Sequence, residues 1–331
     1  MRHLWTLLSA LVLACAGPTG DSRAQRAAAE RAEGPTWAES TRVSGTVRAP
    51  DRPVLTIRVL EVTSRAGGGD AILVADSAAS PPRHVLIDAG DDGTAAAALR
   101  AFGVRSLDLM VLTHAHHDHY GGMDEVLSTV PVRAVALNGQ VRTAATYRRL
   151  LERIRDEVPI VLVVDSIRRV RLGEGDEATL ITLLPPLRRY LATDTGDGEK
   201  LNEGSLAVRV ERAGFSFLST GDAEDEGNRH FAKRFPELVD VEVLKVGHHG
   251  SADATQPFWL AATTPRVAII SANGTTHPHA ETLTLFRQRA IPLYCTPQHG
   301  TVTVRVKRDG TFAVLTERAP TVPCEPGSER R

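Results

Sequence analysis

The chain has 331 residues, 42% hydrophobic and 24% charged, the make-up of an ordinary globular protein rather than a disordered, collagenous or coiled-coil one. With 39 Lys and Arg against 40 Asp and Glu the formal charge is -1, which excludes a surface-wide basic footprint for nucleic acid; a polyanionic substrate needs a local patch. Cys15, Cys295 and Cys324 are too few for a disulfide scaffold and lack the CxxC spacing of a zinc ribbon.

Met1-Arg2-His3 precedes the apolar run Leu4 to Ala14, whose 11 residues fall short of the roughly 20 that cross a bilayer but match the apolar core of an export signal. Residues 1–16 are read as that signal, and two cleavage readings stay open. Ala14-Cys15-Ala16 suits ordinary secretion, whereas Val12-Leu13-Ala14-Cys15 looks like a bacterial lipobox that would put a lipid anchor on Cys15. Either way the protein is expected outside the cytoplasm, periplasmic, secreted or lipid-anchored to the envelope, with no transmembrane domain. Residues 17–52 are rich in Ala, Arg, Glu, Gly and Pro and poor in large apolar residues, so they read as a flexible linker. Export also leaves Cys295 and Cys324 free to pair.

The folded part is expected over residues 54–317. Leu55, Ile57 and Val59 alternate with Thr56 and Arg58, a strand signature, and short apolar runs at 71–74 and 85–87 give two more strands. Helical segments (94–102, 123–130, 147–158) then intersperse with apolar strands (109–112, 134–137, 160–164, 178–184). In the second half, strands 205–210 and 215–219 flank Arg212-Ala213-Gly214 as a hairpin. A helix (223–235), strands 241–246 and 267–271, a helix (280–289) and a hairpin turning at Arg308-Asp309-Gly310 complete the pattern. Interleaved strands and helices predict one layered α/β domain. Residues 318–331, with three prolines, are expected to be loose.

Eight of the 12 histidines fall in three clusters. The first, His114-Ala115-His116-His117-Asp118-His119, directly follows the apolar strand ending at Leu112. Imidazoles two apart in an extended turn point the same way, so His114 and His116 can bind one cation while Asp118 and His119 reach a second position. Gly121-Gly122 lets the chain turn into the next helix. Asp222 also ends a strand. Alone, a Gly-Asp there signals a turn or cap, but beside the histidine array it reads as a carboxylate that can bridge two metals. His248-His249 follows the next strand, at the carboxyl end where open α/β sheets gather ligands; one of the pair is expected to ligate and the other to contact substrate. One of His277 and His279 is assigned a site role, and Asp88, again at a strand end, is expected to orient an imidazole by hydrogen bond.

The order of Gly69-Asp70-Ala71-Ile72-Leu73, Leu86-Ile87-Asp88-Ala89-Gly90, the histidine array, Asn202-Glu203-Gly204-Ser205-Leu206, Ser219-Thr220-Gly221-Asp222, Val246-Gly247-His248-His249-Gly250-Ser251 and His277-Pro278-His279 resembles the metallo-β-lactamase-fold hydrolases. The resemblance is to the branch containing the metallo-β-lactamase-like domain of ComEC-type DNA-uptake proteins. It implies an αββα sandwich with two divalent ions, zinc or manganese, at one edge. The implied ligands are His114, His116, Asp118, His119, Asp222 and His249. Catalytic roles fall to Asp118, His248 and His279, and supporting or substrate contacts to Asp88, Asn202, Ser205, Ser251 and His277. Many relatives carry a further ligand histidine between the array and the strand-end Asp; this chain has none between His119 and Asp222, and the Asn202 and Ser205 loop occupies that interval.

The chemistry expected is metal-dependent hydrolysis by a water that the cations acidify. A phosphoester, nucleic acid included, is the favoured substrate; a lactone, thioester or other carboxyl derivative is the alternative, and a non-catalytic envelope binding protein a third reading. Ten arginines over residues 142–189, with no lysine among them, offer a phosphate-binding rim, although such charges commonly form the solvated face of helices. No protein partner is indicated.

Overall fold

A computed structural model describes residues 52–62, 69–175, 178–191, 198–319 and 321–328. The expected export signal, Cys15 and linker residues 17–51 lie outside them. Strands β1 (Leu55–Val59), β2 (Ile72–Asp76), β3 (Arg83–Ile87), β4 (Leu109–Leu112), β5 (Ala134–Leu137) and β6 (Ile160–Val163) run side by side in chain order. A second sheet holds β7 (Arg168–Leu172), β8 (Thr179–Leu184), β9 (Ala207–Arg212), β10 (Phe215–Ser219), β11 (Val243–Lys245), β12 (Val267–Ile270) and β13 (Leu293–Cys295). The last hairpin, β14 (Val302–Val306) and β15 (Phe312–Thr316), returns to the first sheet, where β14 pairs antiparallel with β1.

Side-chain alternation assembles the layers. Leu55, Ile57 and Val59 of β1 are buried while Thr56 and Arg58 are half-buried. Those three meet Val74, Val111, Phe215, Phe217 and Ile269 in a core between the two sheets. The opposite faces of β2 to β5 turn Leu73, Leu86, Met110 and Val135 outward against α1 (Thr94–Ala101), α2 (His117–Tyr120), α3 (Met123–Thr129) and α4 (Ala145–Glu157). After the short α5 (Gly198–Glu203), the second sheet is covered by α6 (Asp225–Arg234), α7 (Pro236–Val239), α8 (Pro257–Thr263) and α9 (Ala280–Gln288), which bury Phe231, Val239, Trp259 and Phe286 on Leu218, Leu244 and Ala268. Central strands are apolar on both faces because both are covered, and the four layers run helix, sheet, sheet, helix. A single-turn helix, α10 (Thr296–His299), precedes β14.

The β9–β10 turn is Ala213-Gly214, both at positive φ (46° and 83°), which matches the twist a two-residue hairpin demands. The strand expected at 160–164 is present over Ile160–Val163 at the edge of the first sheet, where Ile160, Val161 and Val163 are exposed. Two expectations are corrected. Arg168, Arg169 and Arg171 are not on a helix face: they lie along β7, the edge of the second sheet, where Arg169 and Arg171 alternate with Val170 and Leu172. The tail expected to be loose is tied down over 321–328. Cys324 forms a disulfide with Cys295, and the Gly327 N–H donates to the Pro278 carbonyl at 2.9 Å. Among the described residues no helix is long and apolar enough to cross a membrane.

Candidate metal centre

The histidine array starts where β4 ends. His116 caps the single turn α2 in extended conformation, so His114 and His116 leave the strand on one side while Asp118 and His119 sit within the turn. Tight approach of three loops holds this shape. A Cβ on Gly122 would meet the Ala89 carbonyl oxygen at 2.3 Å, and one on Gly221, whose φ is +54°, would meet Thr113 Oγ1 at 2.6 Å. The loop bearing Asp222 can therefore lie against the strand bearing the array. In the turn after β11, His248 and His249 both take positive φ (44° and 52°), an uncommon pair of conformations for consecutive non-glycine residues. That turn buries the His249 imidazole and leaves His248 half-buried.

Asp222 Oδ2 is the meeting point. It lies 3.1 Å from His119 Nε2, 3.3 Å from His249 Nε2 and 3.8 Å from His114 Nε2. His249 Nε2 is also 3.2 Å from Asp118 Oδ2, and His114 Nε2 is 2.9 Å from His116 Nδ1. Of three donor groups among the described residues with ligand atoms all within 4.8 Å of one another, Asp70, Asp88 and His119 form one, and the other two are Asp118, His119, Asp222 and His249, and His114, His116 and Asp222. Asp222 belongs to the last two. Its Oδ1 is buried with no hydrogen-bond partner, as is the His277 Nε2 nitrogen. Buried polar atoms left without partners carry a desolvation cost that a cation would offset, so the residues fit divalent ions.

The surrounding contacts aim the ligands. Asp88, fully buried, accepts from the Thr113 N–H (2.8 Å) and hydroxyl (2.7 Å), and its Oδ2 lies 2.8 Å from His119 Nδ1. That contact keeps the His119 proton on Nδ1 and turns Nε2 toward Asp222. His249 Nδ1 is similarly placed 3.1 Å from the Ser271 carbonyl. Ser205 Oγ accepts the Asp222 N–H at 3.2 Å and so fixes the shared carboxylate from behind.

Electrostatics divides the imidazoles. Burial, reinforced by the neighbouring His119, holds His114 well below its ordinary value, and burial also lowers His116. Both are neutral donors. Burial opposes charge on His119 and His249 too, but there the carboxylates outweigh it. Asp222 and Asp88 raise His119 well above the ordinary value, and Asp222 and Asp118 raise His249 to about 10. Conversely, burial pushes Asp118 and Asp222 up, yet those imidazoles hold both below the usual carboxylate range. The metal-free site thus keeps protons on two imidazoles, at places where cations would stand.

A family model described as the metallo-beta-lactamase superfamily matches residues 65–274. The chain belongs to that superfamily. It is similar to ComE operon protein 3 of Bacillus subtilis (strain 168), 32% identical over 220 residues that cover 65% of this chain and 27% of that protein. Competence protein ComA of Neisseria gonorrhoeae is 28% identical over 258 residues, 75% of this chain and 32% of that one. The chain therefore spans about a third or less of the length of these relatives. A solved metal-dependent hydrolase of the β-lactamase superfamily aligns over 80% of this chain and 100% of its own, at 14% identity and a TM-score of 0.49. The layered α/β sandwich with candidate metal-binding groups at one edge is the superfamily's.

Within this superfamily site the remaining candidates occupy distinct places. His248 Nδ1 lies 2.9 Å from Glu224 Oε1, and Asn202 Nδ2 donates to the same oxygen at 2.8 Å. His277 is buried and stacks on His279 at 4.7 Å between ring centroids. His279 Nδ1 accepts the Ala252 N–H at 3.2 Å, so of the pair it is His277 that aims a free nitrogen inward. Ser251 is buried with an unpartnered hydroxyl, and His117 is exposed against Tyr120. Two residues were missed. Asp70 and Lys245, both fully buried, form an ion pair directly behind the site, and Asp70 Oδ1 lies 3.6 Å from His249 Nδ1. Their signal in sequence was slight: a charged residue inside each of two apolar strand regions.

The ten arginines do not make one rim. Arg153 pairs with Asp124 and Glu157, Arg155 with Asp156, Arg168 with Asp165, and Arg189 with Glu226. Arg171 donates to the Gly175 carbonyl.

Proposed function

We propose that this chain is an exported metal-dependent phosphoesterase that cleaves a phosphodiester at the edge of the sandwich. His114, His116 and Asp222 would hold one divalent ion, and Asp118, His119, Asp222 and His249 a second, zinc or manganese being the suited metals. The observation that carries the reading is the single Asp222 oxygen facing imidazoles of both groups. When bound, such ions polarise a phosphoryl oxygen and bring the acidity of water near neutrality.

The protein's own groups supply the rest. Asp118, exposed enough to meet solvent and held ionised, accepts a proton from the attacking water while His249 fixes its orientation. His277, pushed down to about 3 by burial and by the neighbouring His249, His248 and His279 imidazoles, is neutral and offers Nε2 to the site. His248, bridged to Asn202 through Glu224, is the group we assign to the leaving oxygen. Export is supported by the Cys295–Cys324 disulfide, a bond that persists in oxidising compartments.

The test is elemental analysis of the purified protein with parallel assays on bis(p-nitrophenyl) phosphate and a lactone panel, repeated on Asp222→Asn and His116→Ala. Two ions per chain and diester cleavage, both lost in the variants, are expected. Cleavage of lactones alone would transfer the reading to carboxyl derivatives, and a variant retaining metal and activity would remove the proposed centre.

A further inference from the structure

One arginine of the ten stands apart. Arg142 lies in the loop between β5 and α4, and its Nη1 donates at 2.8 Å to the carbonyl of Ala115, the residue between His114 and His116. The guanidinium is thus braced on the backbone that carries two candidate ligands. Its Nε is buried without a hydrogen-bond partner, while the side chain as a whole is half-buried and open to solvent. Its hydrogen bond among the described residues is to a carbonyl, so no carboxylate there neutralises it.

We propose that Arg142 is a substrate-binding residue that clamps the anionic phosphoryl oxygens of a phosphodiester beside the His114 and His116 group. This assignment rests on the phosphoesterase reading and narrows it to substrates that carry negative charge at the reacting group. A guanidinium presents five donors in a planar fork. The Ala115 carbonyl uses one and fixes the plane, Nε is buried, and the remaining Nη donors are left for two phosphoryl oxygens in charge-assisted bonds. An uncharged lactone or thioester gains nothing comparable. Arg142 therefore discriminates between the two hydrolytic chemistries that the metal ligands alone would serve equally.

The experiment measures binding of inorganic phosphate to the zinc-loaded protein by calorimetry, and KM for bis(p-nitrophenyl) phosphate and for a neutral lactone. It is run on the wild type, Arg142→Ala and Arg142→Lys. Metal content confirms in each case that the Ala115 loop still holds its ligands, and Arg142→Lys serves if Arg142→Ala loses metal. Phosphate affinity should fall roughly 10- to 100-fold in Arg142→Ala, the size expected for truncating a charge-assisted contact, and less in Arg142→Lys. KM for the diester should rise in step while any lactone turnover stays unchanged. A wild type that cleaves no diester but whose phosphate binding depends on Arg142 would sink the phosphoesterase reading and leave the anion clamp standing. Phosphate affinity that is absent in the wild type, or equal in metal-loaded wild type and variants, would overturn the inference.

Discussion

Replacing Asp88 by Asn isolates the orienting contact behind His119. Asn is nearly isosteric and tolerates the positive backbone angle at this position, φ 55°. Its remaining oxygen can still accept the Thr113 N–H. The new amide nitrogen, however, faces two donors, the Thr113 hydroxyl and His119 Nδ1. The hydroxyl can rotate away; the imidazole must move its proton to Nε2, the nitrogen aimed at Asp222. His119 then no longer offers a lone pair to the four-donor group. Loss of an outer contact of this kind costs about 10- to 100-fold in metal affinity. That range equals about 1.4–2.7 kcal/mol, close to the ~1.5–3 kcal/mol of one hydrogen bond to a charged group. Zinc affinity measured by competition with a chromophoric chelator should therefore fall one to two orders of magnitude, with far-ultraviolet circular dichroism unchanged. An affinity within twofold of the wild type would refute the argument that Asp88 sets the His119 tautomer.

Two further outcomes follow from the same geometry. Because His119 and His249 carry protons in the metal-free site at neutral pH, a cation must displace them, and affinity should strengthen as pH rises toward the raised His249 value of about 10. The sign is fixed by competition: lower pH favours the protonated, metal-free form. Calorimetry in buffers of different ionisation heat should find about two protons released per fully loaded site, and no release would contradict the charge assignment. The Cys295–Cys324 bond closes a loop of sequence separation 29, so Cys324→Ser should lower stability by about 3–4 kcal/mol on the chain-entropy account. The wild type in reductant should melt at the variant's temperature; melting curves indifferent to both changes would argue that the bond does not hold the tail.

Much of this centre was legible because its chemistry is concentrated: four ligand-type residues within His114 to His119 directly follow a buried strand. The layers were legible for a similar reason, since β1 alternates with period two and β4 is apolar throughout, as its two covered faces require. What stayed hidden depends on angles or on distant contacts. Which of His248 and His249 turns inward is decided by two consecutive positive φ values. Which of His277 and His279 is free is decided by the Ala252 N–H, 27 residues from His279. Asp70 acquires its meaning only from Lys245, 175 residues away. The arginines of β7 carried a readable signal, the alternation of Arg169 and Arg171 with Val170 and Leu172, which charge density obscured.

The two donor groups are unequal, and the inequality gives the site a direction. One group has four protein donors, including the two imidazoles that the carboxylates hold protonated; the other has His114, His116 and Asp222 only. No histidine between His119 and Asp222 supplies a fourth, and Asn202 from that interval turns instead to Glu224. A site that keeps fewer protein ligands leaves more positions for water and substrate, the usual mark of a catalytic rather than a structural ion. The three-donor side is therefore where a phosphoryl oxygen would enter. It is also the side on which Arg142 is braced, against the Ala115 carbonyl between the two histidines. Tighter retention of metal by the four-donor group and anion capture beside the three-donor group would then be two consequences of one arrangement, in which Asp222 joins both through a single oxygen.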